Sequence, residues 1–316
     1  MEKTSRIFVA GHRGLVGSAL VRRLASGGYT NVRSAARADL DLADPRAVRL
    51  FFERERPEFV FLAAARAGGI LANRTYPAEF ISSNLMIETA VLHAAHLSGV
   101  RRLLFFGCAC AYPKEAPQPM KEELLLSGSL EPTSEPYAVA KLAGMKMCEA
   151  YNRQYRTAFV SVIPASVYGP RDHFDLESSH VLSALLGKFH RARGGSAPVV
   201  VWGTGAPRRE FLYVDDLADA CLFLMSLDDS TFASVVGFPG SVVNAGTGDD
   251  ITIKELALLV KDVAGFTGGV EFDTSKPDGA PRKLLDSGRL RALGWTPKTS
   301  LDEGVRRTYK WYRGAA

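Results

Sequence analysis

Cysteine is scarce in this sequence: four residues in 316, at 108, 110, 148 and 221. That number excludes a disulfide framework in a chain of this length. A run of about 18 or more apolar residues is also missing, so no membrane-spanning helix is expected. The opening MEKTSRIFVAG passes straight into a strand pattern without a secretory apolar region. These absences predict a soluble chain of a reducing compartment, the cytoplasm. Charge of one sign is nowhere dense. The net charge of +5 is spread over RRL at 22–24, RRLL at 101–104 and the pair Arg208-Arg209. Nucleic acid is therefore a poor partner, while an anionic small ligand such as a phosphate or nucleotide remains open. Repeats and low-complexity tracts are absent. No Cys/His cluster has metal-ligand spacing, so no metal is expected.

What is present is a large apolar fraction. The chain is 47% hydrophobic and 23% charged, enough to bury a sizeable core. In the first half, short β-rich runs alternate with helical patterns. RIFVAG (6–11), NVRSA (31–35), FVFLAAA (59–65) and RLLFFG (102–107) read as strands. Between them lie helices at 15–28, 45–57 and 79–100, followed by a long one at 136–155. Repeated β-α-β units imply parallel strands joined by crossover helices. The fold class is α/β, a Rossmann-type doubly wound parallel sheet with a smaller, mainly C-terminal lobe. Residues 1–167 form the dinucleotide-binding domain and 211–246 return to it. Residues 168–210 and 247–316 form the substrate-binding lobe.

Gly11-His12-Arg13-Gly14-Leu15-Val16-Gly17 follows the first strand and opens the first helix. Glycines there let backbone N–H groups approach a pyrophosphate, whose charge the helix N-terminus favours. As a bare pattern G-x-x-G-x-x-G is weak; its strand-turn-helix context makes it specific. An acidic residue after the second strand would select the ribose hydroxyl of NAD. Here that stretch is RSAARADLDL, carrying Arg37, and Arg13 lies within the glycine loop. Two arginines suit a 2′-phosphate, so the cofactor expected is NADPH. The alternative for Arg37 is an ordinary surface residue.

Tyr137 and Lys141 form Y-x-x-x-K on the long helix, four residues apart and on one face. A nearby ammonium lowers a phenol's pKa, so Tyr137 is expected to work as acid or base near neutral pH. Cys108 and Cys110 sit one residue apart at the end of a core strand, in FFGCACAYPK. Metal ligation needs more ligands than the sequence offers. A C-x-C disulfide is expected to be strained, and the compartment is wrong for one. Cys148 and Cys221 lie on apolar helices and read as core filler.

Together these motifs resemble the extended short-chain dehydrogenase/reductase superfamily. Longer strings, among them LAAARAGGILAN, YPKEAPQPM, SLEPTSEPYAVAKLAG, SHVLSALLGKFHRA, VVVWGTG, REFLYVDDLADA and KPDGAPRKLLD, narrow the resemblance. They are similar, end to end, to the GDP-L-fucose synthase family, which epimerises C3 and C5 of GDP-4-keto-6-deoxy-D-mannose and reduces C4 with NADPH. The resemblance implies Cys110 and His180 as the epimerisation base and acid, and Tyr137 as the proton donor in reduction. Lys141 would lower the tyrosine's pKa and bond the nicotinamide ribose. It further implies cofactor contacts at Asp41, Leu42, Ala63, Ala64, Pro164, Ala165, Ser166, Val167 and His180. Substrate contacts would come from Lys188, Trp202, Arg209 and Asp278. Read by themselves, Trp202 could be core, and His180 and Lys188 ordinary helix residues. A homodimer is implied, packed through two long helices of each subunit.

Two departures from the family pattern fall in the site. The family has G-S-S-C where this chain has Gly107-Cys108-Ala109-Cys110. The usual serine donor to the substrate ketone is thus Cys108, a weaker donor. Losing such a donor costs about 10²–10³ in rate in general. The family's P-T-N-L-Y is Pro164-Ala165-Ser166-Val167-Tyr168 here. The alternative reading is a weakly active or inactive paralogue, acting as an NADPH-binding or regulatory subunit, or a related nucleotide-sugar epimerase or reductase.

Overall fold

The structure, a computed structural model, describes residues 1–176, 179–276 and 278–315. In chain order its first half runs β1 (Ile7–Ala10), α1 (Leu15–Ser26), β2 (Val32–Arg33), α2 (Pro45–Glu55), β3 (Phe59–Leu62), α3 (Ile70–Thr75), α4 (Pro77–Leu97), β4 (Arg102–Phe106), α5 (Glu135–Tyr155), β5 (Phe159–Pro164) and β6 (Ser166–Tyr168). The second half runs α6 (Val181–Ala192), β7 (Val199–Trp202), β8 (Arg208–Tyr213), α7 (Val214–Ser226), α8 (Asp229–Val236), β9 (Val242–Ala245), β10 (Asp250–Thr252), α9 (Ile253–Ala264), β11 (Val270–Asp273), β12 (Arg282–Lys283), α10 (Gly288–Ala292) and α11 (Leu301–Ala315).

The expected doubly wound sheet is there. Six strands pair in the order β2-β1-β3-β4-β5-β9, all parallel. Their sequences explain it: IFVA, FVFL and RLLFF are buried at every position, as strands covered on both faces must be. One covering layer contains α1 against α7; the other contains α2, α4 and α5. Local signals fix helix ends. Asp44 caps α2, accepting from the N–H groups of Arg46 and Ala47, with Pro45 in the first turn. Thr252 and Glu255 form a reciprocal capping box on α9. The strand order reverses between β1 and β3, which makes the crevice between their carboxyl ends the switch point of the sheet.

A second apolar cluster gathers Leu182, Leu186 and Phe189 of α6, Leu256 and Val260 of α9, and Val305 and Tyr309 of α11. It lies against β8, which pairs with β10, β12 and β6, and against the β7–β11 pair. β8 serves both cores by alternation: Phe211 and Tyr213 enter the second cluster, Leu212 the first. Several short elements differ from the sequence expectation. NVRSA contracts to Val32–Arg33, and Ser166–Tyr168 forms a short additional strand, β6. Strands of two to four residues exist through pairing with distant partners, which no local pattern encodes.

The far, amino-terminal end of β4 is held by Arg102. Its buried guanidinium donates to the carbonyls of Met225 (3.0 Å) and Leu227 (2.7 Å), pairs with Asp229 and lies over the Phe232 ring. These bonds tie the α7–α8 junction to the sheet. Arg102→Ala is expected to cost about 3 kcal/mol in urea unfolding, from lost charged hydrogen bonds. Dinucleotide affinity should be unchanged, since the site lies at the opposite end of the strand.

Candidate active site

Because the large sheet is parallel, the loops after β1, β3, β4 and β5 leave the same edge. The first carries the glycine segment. Gly11 has φ +83°, and a Cβ on it would stand 2.8 Å from the Ala64 backbone. A Cβ on Gly17 would stand 2.1 Å from the Gly11 carbonyl oxygen. The loop thus closes on itself and on Ala63-Ala64 only because side chains are missing. Gly14 is the N-cap of α1 and brings no side chain to its N–H groups, and no acid lies in the first turn. Open helix N–H groups, a loop without Cβ atoms and exposed Arg13 and Arg37 fit a phosphorylated dinucleotide. His12 bonds the Ala35 backbone at the exit of β2. Its pKa is lowered by burial, and by Arg13 and Arg171. Arg171 is a cation that the sequence reading did not single out. Asp41 accepts from the Ala43 N–H at 3.0 Å, and Leu42 packs against the core.

Tyr137 and Lys141 face the sheet from α5. The Lys141 side chain is 2% exposed and its ammonium lies 3.1 Å from Glu88 of α4, itself 1% exposed. Neither Glu88 oxygen has a further hydrogen-bond partner among the described residues. The ammonium also lies 4.6 Å from the Phe105 ring centroid and 5.8 Å from that of Tyr137. Gly144 makes this packing possible, since a Cβ there would meet Phe105 at 2.5 Å and Glu88 at 2.7 Å. Burial raises the carboxyl pKa of Glu88, with Lys141 pulling against it. The sequence expectation of a lowered Tyr137 pKa is corrected here. Burial pushes the phenol up, Lys141 opposes this, and Glu88 adds to the rise. The net rise keeps the phenol protonated at neutral pH, the form a proton donor needs.

Beyond β4 the chain turns through a short 3-10 helix, Ala109–Ala111, packed against α5. Here a second expectation is corrected: Cys108 and Cys110 are joined by a disulfide, with Cα atoms 5.2 Å apart. The 3-10 turn swings both side chains to one side across Ala109, giving an ordinary Cα separation for the bond. In this state neither sulfur is a thiolate. Cys148 and Cys221 are free and fully buried, as expected of core filler. Ser166 is exposed, and Pro164 through Val167 follow the same sheet edge from β5 into β6.

The remaining candidates lie on α6, β7 and β8 and in the segment between β11 and β12. His180 is the exposed N-cap residue of α6. Its charge interacts with Asp172, whose carboxylate accepts from Ser183 and from the His173 N–H. Burial raises the pKa of Asp172, and these partners pull it back. Sequence reasoning missed Asp172, because nothing local links it to a histidine eight positions on. Lys188 donates to the Val200 carbonyl at 2.9 Å and lies 5.5 Å from the Trp202 ring centroid. Trp202 is 53% exposed, which rules out core filler. Arg209 donates to the Ala280 carbonyl at 2.7 Å, and Asp278 holds the Thr204 N–H and hydroxyl. Lys283 stands in register with Arg209 on the neighbouring strand. Burial lowers its pKa, and Arg209 lowers it further. Two facing cations of this kind suit an anion between them.

Comparison with known proteins accords with this geometry. The NAD dependent epimerase/dehydratase family matches residues 7–237. GDP-L-fucose synthase 1 of Arabidopsis thaliana is 54% identical over 312 residues, covering 98% of this chain and 94% of that protein. GDP-L-fucose synthase of Escherichia coli K12 is 53% identical over 308 residues, covering 97% and 96%. The chain belongs to the GDP-L-fucose synthase family. A solved GDP-mannoheptose C4 reductase from Campylobacter jejuni, with NADP bound, superposes with a TM-score of 0.90 at 40% identity, over 99% of each chain. Membership of the family makes NADPH the cofactor that the glycine loop and its arginines would hold.

Two outcomes follow. Glu88→Ala strands a buried ammonium and is expected to cost about 3–5 kcal/mol in chemical unfolding, whereas a surface control should cost little. Gly17→Ala should leave the far core intact but weaken NADPH binding by well over about tenfold, read by fluorescence titration, because Gly11 must move.

Proposed function

We propose that this chain converts GDP-4-keto-6-deoxy-D-mannose to GDP-L-fucose, by 3,5-epimerisation followed by reduction at C4. The observation that carries the reading is the packing of the Cys110 turn against the helix of Tyr137 and Lys141, beside the glycine loop's edge of the sheet. NADPH, when bound, supplies the hydride for the ketone. The chain supplies the protons and the charges. A ketone at C4 acidifies the hydrogens at C3 and C5, because the resulting carbanion is an enolate. Cys110, reduced to a thiolate, removes these protons. His180, with Asp172 beside it, returns them on the other face of the ring. Cys108 lies where the family's serine donates to the ketone oxygen. Tyr137 gives its proton to the developing alkoxide, while the Glu88-anchored Lys141 stabilises the tyrosinate that remains.

Residues 1–167 with 211–246 are assigned to the dinucleotide, and 168–210 with 247–316 to the sugar nucleotide. Lys188, Arg209 and Lys283 provide cations for the diphosphate, and exposed Trp202 a face for the base or sugar. The high identity to named synthases supports this over an inactive paralogue. Adjacent helices α4 and α5 leave Met86, Leu97, Val139 and Tyr155 exposed, which supports a homodimer through that face. No helix among the described residues is long and apolar enough to cross a membrane. A cytoplasmic site of action suits a nucleotide-sugar substrate.

The test is loss of NADPH absorbance with reduced enzyme and GDP-4-keto-6-deoxy-D-mannose, the product sugar being identified. GDP-L-fucose is the expected product; turnover only on another GDP-sugar would replace the substrate assignment. Tyr137→Phe should slow reduction by about 10²–10⁴-fold. Solvent deuterium uptake at C3 and C5 should continue in that variant, separating the two halves of the reaction.

A further inference from the structure

We propose that Cys108 and Cys110 are an oxidant-reactive dithiol site, whose closure to the disulfide seen here switches the enzyme off and whose reduction switches it on. This inference rests on the reading of Cys110 as the epimerisation base. Three observations carry it. Both sulfurs are paired in the structure, in a turn held on either side. Gly107 before it is wedged against Met145 and Ile163, and Ala111 and Tyr112 after it are buried. Both cysteines are also partly exposed at the open sheet edge, where a small oxidant can reach them. The other two thiols, by contrast, are fully buried and unreactive: burial pushes Cys148 up to about 12 and raises Cys221 as well.

The chemistry balances with a peroxide as oxidant and a small dithiol as reductant. The Cys110 thiolate attacks a peroxide oxygen; an S–O bond forms, the O–O bond breaks and hydroxide leaves. Cys108 then attacks the sulfenic sulfur; the S–S bond forms, the S–O bond breaks and water leaves. Two thiols lose two electrons and the peroxide becomes two waters. A dithiol reverses the step through a mixed disulfide, ending as its own disulfide. A single bond thereby removes both the proton acceptor for C3 and C5 and the S–H donor at the ketone. A serine at 108 could not close it.

The experiment uses the full-length enzyme, first reduced and then treated with hydrogen peroxide. Tryptic peptide Leu103–Lys114 is weighed, and deuterium uptake at C3 and C5 of GDP-4-keto-6-deoxy-D-mannose is followed. The peptide is expected to become lighter by two hydrogens while uptake falls by about 10²–10⁴-fold, both reversed by dithiothreitol. Cys108→Ser should yield no such peptide, and its peroxide damage should progress to a sulfinic acid that dithiothreitol does not restore. Thiols left intact by peroxide, or an oxidised enzyme exchanging as fast as the reduced one, would overturn the switch. Reduced Cys110→Ala, with NADPH binding as the check on folding, separates the two ideas. If it exchanges at the wild-type rate, the base assignment itself fails. If it loses exchange while wild-type thiols resist peroxide, only the switch fails.

Discussion

Strand direction is the constraint from which the rest follows. Every strand of the large sheet points the same way, so each crossover helix must return the chain to the opposite end before the next strand begins. All loops that leave the carboxyl edge are thereby collected in one place. The glycine loop, Ala63-Ala64, the cysteine turn and Pro164 through Val167 are far apart in sequence and neighbours in space for this reason alone. The reversal of strand order between β1 and β3 opens the crevice that these loops line.

Against that frame stands one costly element, an ion pair in the core. Lys141 and Glu88 are both removed from water, and such pairs rarely raise stability above that of an apolar replacement. The pair lies beside the tyrosine. The carboxylate holds the ammonium 5.8 Å from the tyrosine ring centroid and opposes its pull on the phenol. Burial and Glu88 together keep Tyr137 protonated at neutral pH, as the proposed reaction requires of it. The glycine at 144 looks misplaced in the middle of a helix by propensity, yet it is what lets α5 close over the pair.

Much of this was legible in the sequence, and the remainder was hidden for identifiable reasons. The parallel sheet, the glycine loop and the Tyr137–Lys141 face follow from local pattern: apolar runs buried on both faces, glycines in a strand-turn-helix context, and helical spacing of four. Glu88 was invisible because it reads as one more polar residue of an amphipathic helix, and its burial depends on a second helix packing against it. Asp172 and Lys283 were missed likewise, since each gains meaning only beside His180 and Arg209. The cysteine pair was misjudged on general grounds of strain and compartment. The local backbone decides such questions, and here a 3-10 turn set the two residues at an ordinary separation. The short strands β6, β9, β10, β11 and β12 are products of pairing, with too few residues to carry a period of their own.

The path of the chain also bears on its synthesis. The first core takes in Val243 and Ala245 from the sixth strand of its sheet, and then Leu285, Leu290 and Trp295 from near the end of the chain. β8 meanwhile divides its side chains between two cores. On a ribosome this first core cannot be completed when its glycine loop, helix α5 and first five strands have emerged. It waits, with the β5 edge of the sheet uncovered, until β9 and then the segment carrying Leu285, Leu290 and Trp295 have been translated. Completion of that core is therefore a late event in synthesis, and both cores receive their last segments close together near the end of the chain.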